Sequence, residues 1–123
     1  MSRFSKFEEI QASQKAREVT LTIYRLSGSG SFARDFGLKN QICRASVSIM
    51  ANIAEGHGRR TNVEFANFLN IARGSVAEVQ SHLHIALGLG YVDKNQFEDL
   101  YGRLDEISRM ALSLARYLRE SSR

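Results

Sequence analysis

The chain has 123 residues, enough for one domain with its own core, and its 43% hydrophobic and 24% charged content excludes general disorder. Its formal net charge is +4 and its pI is near 9.6, a balance that favours contact with nucleic acid or another polyanion without requiring it. No apolar run approaches the roughly 18 residues of a membrane span, the start MSRFSKFEE lacks a signal-peptide core, and the single Cys43 has no disulfide partner, so the expected setting is a reducing cytoplasm without membrane contact.

Pro and Trp are absent, and apolar residues recur at steps of three and four. The pattern predicts an all-α chain: a single domain, 1–123, with helices over residues 6–27, 37–57, 62–89 and 94–120, in an up-down-up-down four-helix bundle. The first helix opens on the capping pattern Ser5-x-x-Glu8, and Ala12, Ala16, Val19, Ile23 and Leu26 form its seam. Ser27-Gly28-Ser29-Gly30-Ser31 follows. No strand precedes it and no Gly-Lys-Ser/Thr completes it, so it reads as a mobile connector rather than a phosphate loop.

The second helix carries the stretch around which the chain is organised, QICRASVSIMANIAEGHGRR at 41–60. Ile42, Ala45, Ile49 and Ile53 make one apolar stripe, and Cys43, Val47, Met50 and Ala54 make another, turned by about one residue step. Such a helix is covered on two sides. Gln41, Arg44, Ser48, Asn52, Glu55 and Arg59 share a polar edge, of which Ser48, Asn52 and Glu55 read as a hydrogen-bonded structural network. Gly56 or Gly58 is expected to end the helix in the left-handed conformation.

Thr61 and Glu64 cap the third helix, whose seam runs from Phe65 to Ala86. Gly74, in mid-helix, costs about 1 kcal/mol relative to Ala, which makes Gly74-Ser75 the expected point of close helix approach. Gly88 or Gly90 ends this helix, and Asp93 with Gln96 caps the last, flanked by a Val92/Phe97 hydrophobic staple. The fourth seam, Phe97 through Leu118, is unbroken.

Gln41, Arg44-Ala45, Ser48-Ile49, Asn52-Ile53-Ala54-Glu55-Gly56, Arg59, Glu64-Phe65, Phe68-Leu69, Ala72, Gly74-Ser75, Glu78 and Leu89-Gly90-Tyr91 together resemble the motifs of a bacterial four-helix-bundle family. That family was first noticed as proteins encoded in intervening sequences of large-subunit ribosomal RNA genes, and its relatives include the accessory variability protein of diversity-generating retroelements. The chain departs from it at Cys43, usually a second Arg, at Met50, often Pro, and at Ser13, commonly aromatic. The resemblance implies a ring of five identical subunits and no established enzyme activity. The retroelement relative contacts nucleic acid and a reverse transcriptase.

Two functional readings follow. Arg44, Arg59, Arg60 and Arg73 are candidate phosphate contacts of an oligomeric RNA- or DNA-binding module, with Arg59 and Arg60 the better pair because they end a helix. The alternative is a scaffolding ring for a protein partner, such as a nucleic-acid enzyme. Either needs an oligomer interface, for which Cys43, Val47, Met50, Gly74 and Ser75 are the candidates. No catalytic residue, cofactor or metal site is expected: Glu78 lies four residues before His82 rather than three, His82 and His84 point to different faces, and Cys43 has no His near it in sequence.

Overall fold

The structure, a computed structural model, describes residues 3–121, with side chains from residue 9 onward. Its helices are α1 (Arg3–Ser27), α2 (Phe36–His57), α3 (Asn62–Gly88) and α4 (Lys94–Glu120), with one 3₁₀ turn at Phe32–Arg34 and no strand among the described residues. α1 starts at Arg3, ahead of the expected Ser5 cap, and the side chains of Ser5 and Glu8 lie outside the described residues. Each helix packs against two others, α2 against α1 and α3, and α4 against α3 and α1, so α2 and α4 stand diagonally across one core. The seams supply that core: Val19, Ile23, Ile42, Ile49, Ile53, Leu69, Leu83, Leu104, Ile107 and Leu114 are almost wholly buried.

Polar contacts fix how the helices lie against one another. Thr20 Oγ1 donates to the Ser46 carbonyl at 3.1 Å, and Ser27 meets Cys43 at 3.3 Å. Ser48 pairs with Ser75, Gln80 donates to Asp105 at 2.8 Å, and Arg119 donates to Asn67 at 2.7 Å. Lys15 and Glu106 pair at 3.1 Å across α1 and α4.

Helix ends follow the capping chemistry in part. Asp93 and Gln96 form the full reciprocal capping box. Thr61 accepts from the Glu64 N–H, but Glu64 takes the Thr61 hydroxyl proton instead of reaching back to the Thr61 backbone. α3 ends in a Schellman motif: Gly90 adopts φ 75° while Tyr91 N–H reaches the Ala86 carbonyl and Gly90 N–H reaches Leu87. α2 ends differently from expectation, with Gly58 at φ −79°, in the right-handed region. Glycine is required two residues earlier. A Cβ on Gly56 would stand 2.7 Å from Phe68 Cβ and 2.8 Å from Phe65 Cδ1, so α2 and α3 are too close here for any side chain. At Gly74, by contrast, a Cβ would meet nothing within 4 Å, and the expected close approach is not made inside the subunit.

The Ser/Gly connector is fastened at its far end. Phe32 is buried and stacks on Tyr91 with ring centroids 5.0 Å apart, and Tyr91 donates its hydroxyl to Asp35 Oδ2 at 2.9 Å. Asp35 also caps α2 through the Leu38 N–H. This carboxylate raises the Tyr91 phenol above its ordinary value, chiefly through the hydrogen bond to Asp35, then through burial and the Asp35 charge.

Candidate functional site

The polar edge of α2 lies along its seam with α3. Asn52 Nδ2 donates to the Ser48 carbonyl at 2.8 Å and to Ser48 Oγ at 3.2 Å, and Ser48 in turn pairs with Ser75. These half-buried groups therefore satisfy one another, which fixes the register of the two helices. Glu55 stands apart from this chain of bonds. It holds Arg59 at 2.8 Å, and the Arg59 guanidinium lies 4.7 Å above the Phe68 ring.

The four candidate arginines do not form one patch. Arg59 and Arg60 sit together at the α2–α3 turn. Arg44 is exposed on the opposite half of α2, roughly 20 Å away along the axis at ~1.5 Å per residue. Arg73 faces α4, donating from Nε to Ser108 Oγ at 3.3 Å. Two arginines that the sequence reading passed over complete the basic end instead. Arg119 bonds Asn67 near the start of α3, which brings the last turns of α4, with exposed Arg116, to the end of the bundle that carries Arg59 and Arg60. The signal was the basic run ARYLRE: cations in a last turn complement the helix dipole and gather where helices end.

The candidate interface residues also separate. Cys43 and Ser75 are buried inside the subunit, at 6% and 8% exposure, so neither can present a face to another chain. Their partners, Ser27 and Ser48, are internal as well. Val47 and Met50 are exposed and, with Arg17, Thr20 and Leu21, line a hollow of about 180 Å³ between α1 and α2. Ala51 and Ala54 extend its apolar wall along α2. On α3, Glu78 is the only Asp, Glu, Lys or Arg among the exposed residues, which include Ile71, Gly74, Ala77, Ser81 and Ile85. α4 is the opposite case, exposing charge along its whole length from Lys94 and Glu98 through Arg109 to Arg116.

The histidines point apart, as their spacing requires. His84 packs against Phe97 and Tyr101, His57 meets the edge of Phe65, and His82 places Nε2 4.0 Å from Glu78 Oε2. Among the described residues no group of three or more His, Cys, Asp or Glu is placed to hold a metal ion, and no helix is long and apolar enough to cross a membrane.

Comparison with known proteins adds the family. No curated protein matches the chain. A solved structure of a protein of unknown function from the S23 ribosomal protein family of Bacteroides thetaiotaomicron is similar to it at 25% identity and a TM-score of 0.80, over 89% of this chain and 98% of that one. The model of the 23S rRNA-intervening sequence protein family matches residues 8–113. A match of that extent covers parts of all four helices, and the chain belongs to the 23S rRNA-intervening sequence protein family.

Proposed function

We propose that the protein is a non-enzymatic binding component that works as a homo-oligomeric ring, five subunits as the family resemblance implies, and takes RNA or DNA phosphates on its basic end. The observation that carries the proposal is the division of the surface: α2 and α3 expose mostly apolar and small residues, with Arg44, Glu55 and Glu78 as their exposed formal charges, while Arg59, Arg60, Arg116 and Arg119 gather at one end of the bundle. A face of this kind is better suited to another protein surface than to water. Ring assembly would repeat the basic end around one axis, multiplying a weak contact by avidity. Thr20–Ser46 with Ser27–Cys43, Ser48–Ser75 with Gly56–Phe65, and Asn67–Arg119 with Gln80–Asp105, in each of which numbers rise on one helix as they fall on the next, support the up-down-up-down order. The cytoplasmic setting expected from the lone Cys43 belongs to the same reading.

A second reading, a scaffold for a protein partner, is favoured by one contact: Arg59 is already engaged by Glu55 and Phe68. Light-scattering mass with and without mixed RNA and DNA fragments, at two salt concentrations, separates the two. Phosphate binding gives an oligomer whose mass rises with nucleic acid at low salt and returns at high salt, because counterions are released. Arg59→Glu with Arg60→Glu is expected to abolish the rise and leave the oligomer and its helicity unchanged. A wild-type oligomer that never shifts rejects the nucleic-acid reading and points to the scaffold.

A further inference from the structure

Resting on the reading that the protein assembles with itself, we infer which surfaces meet: the outward stripe of α3 in one copy seats in the α1–α2 hollow of the next, with Glu78 of the first copy against Arg17 of the second. The contact is heterologous, joining two different faces of the same chain.

Both faces are largely apolar. The hollow between α1 and α2 is concave and apolar, walled by Leu21, Val47 and Met50. On α3, Ile71, Gly74, Glu78, Ser81 and Ile85 follow steps of three and four, so they share one face, with two exposed isoleucines flanking a middle that contains glycine and serine. Gly74 is the telling position. It costs helix stability, yet nothing inside the subunit comes within 4 Å of where its Cβ would be. A second chain lying across α3 at that point accounts for the missing side chain.

Their charges are complementary. Glu78 is the single formal charge among the exposed residues of α3, its side chain 60% exposed with only His82 at 4.0 Å. Arg17 rims the hollow, and among the described residues it has no hydrogen-bond or ion-pair partner. Each face thus offers one charge, and the signs are opposite.

Height and direction agree with this pairing. Ser48 meets Ser75 and Thr20 meets Ser46 within the subunit, which sets Leu21, Val47, Met50 and Gly74 at about the same level of the bundle. Two copies standing side by side therefore match without sliding. The hollow lies on the α1 side of α2 and the stripe on α3, so the faces flank α2 at a broad angle. Repeating such a contact turns each copy relative to the last, and a closed ring built this way would set α2 towards the axis and leave the charged α4, diagonally opposite, in water.

The test mixes two disabled chains. Val47→Asp ruins the hollow and leaves the stripe, while Ile71→Asp ruins the stripe and leaves the hollow; both positions are exposed in the subunit. Each variant alone is expected to run as a monomer by light scattering. An equimolar mixture is expected to form a dimer and nothing larger, because one intact hollow and one intact stripe remain. As an independent arm, Arg17→Glu or Glu78→Arg alone raises the concentration for half-dissociation at least about tenfold, and the two together in one chain restore it. A mixture that stays monomeric, or single charge variants that assemble as well as wild type, overturns the pairing of faces. A wild-type protein that is monomeric at all concentrations overturns the assembly reading on which the pairing rests.

Discussion

Gly56 and Gly74 have opposite surroundings, and the difference separates a packing constraint from a surface one. Gly56 continues the buried line Ile42, Ile49 and Ile53 and brings the α2 backbone against Phe65 and Phe68. Adding one methyl there forces the aromatic side chains or the helices to move, at a cost of about 1–3 kcal/mol. Gly56→Ala is accordingly expected to lower the urea midpoint while leaving the slope of the transition unchanged. The sequence contained this signal, since Gly56 falls three residues after Ile53 on the same stripe, but a glycine near a helix end reads first as a cap. Gly74 reads first as a close approach because it interrupts a helix, and no periodicity reveals which chain does the approaching. Ser48 and Asn52 were legible as partners on one edge of α2; that Ser75 completes their chain of bonds from α3, and that Glu55 turns away to Arg59, depend on helix packing and side-chain rotamers, which spacing does not encode.

At the scale of elements, α3 and α4 begin with caps of different completeness, and their stabilities should differ accordingly. Asp93 accepts from the Gln96 N–H, donates its own N–H to the Gln96 side-chain oxygen, and brings a negative charge to the positive end of the helix dipole. Thr61 supplies a single neutral bond to the Glu64 N–H. Asp93→Ala is expected to cost about 1–2 kcal/mol and Thr61→Ala about 0.5–1 kcal/mol, compared by thermal melts of the two variants. Both caps were plain in the sequence because capping is local chemistry. The 3₁₀ turn at Phe32–Arg34 was not, because Phe32 is held by Tyr91, far along the chain. The basic end of α4 went unread for a related reason: its seam identifies the buried face, while the company kept by Arg116 and Arg119 depends on which helix ends come together.

Across the whole molecule, the bond from Tyr91 to Asp35 joins the segment before α2 to the segment after α3 and makes stability depend on pH at the alkaline end. The folded phenol is raised above its unfolded value. The stabilisation is therefore fully present below the unfolded pKa and is lost as pH rises through the folded one, when a phenolate would face the Asp35 carboxylate. Denaturation midpoints measured from neutral pH to above the ordinary tyrosine range should fall in that alkaline window, and Tyr91→Phe should remove this part of the decline. Four helices and most of the core were readable because burial follows a period of about 3.6 residues. The closing bond was not, since no short pattern relates Asp35 to Tyr91, although Leu89-Gly90-Tyr91 stood out as a motif.

The same bond bears on the order of folding. Gly56 and Phe65 meet across a short turn, so the α2–α3 hairpin can form from neighbouring chain with little loss of loop entropy. Asp35 and Tyr91 are 56 positions apart, so their contact is expected to form after α2 and α3 have paired and the Schellman turn has set the direction of the chain. Tyr91 is then the latch of a hairpin already built: it holds the native state against opening and contributes little to the speed at which that state is reached.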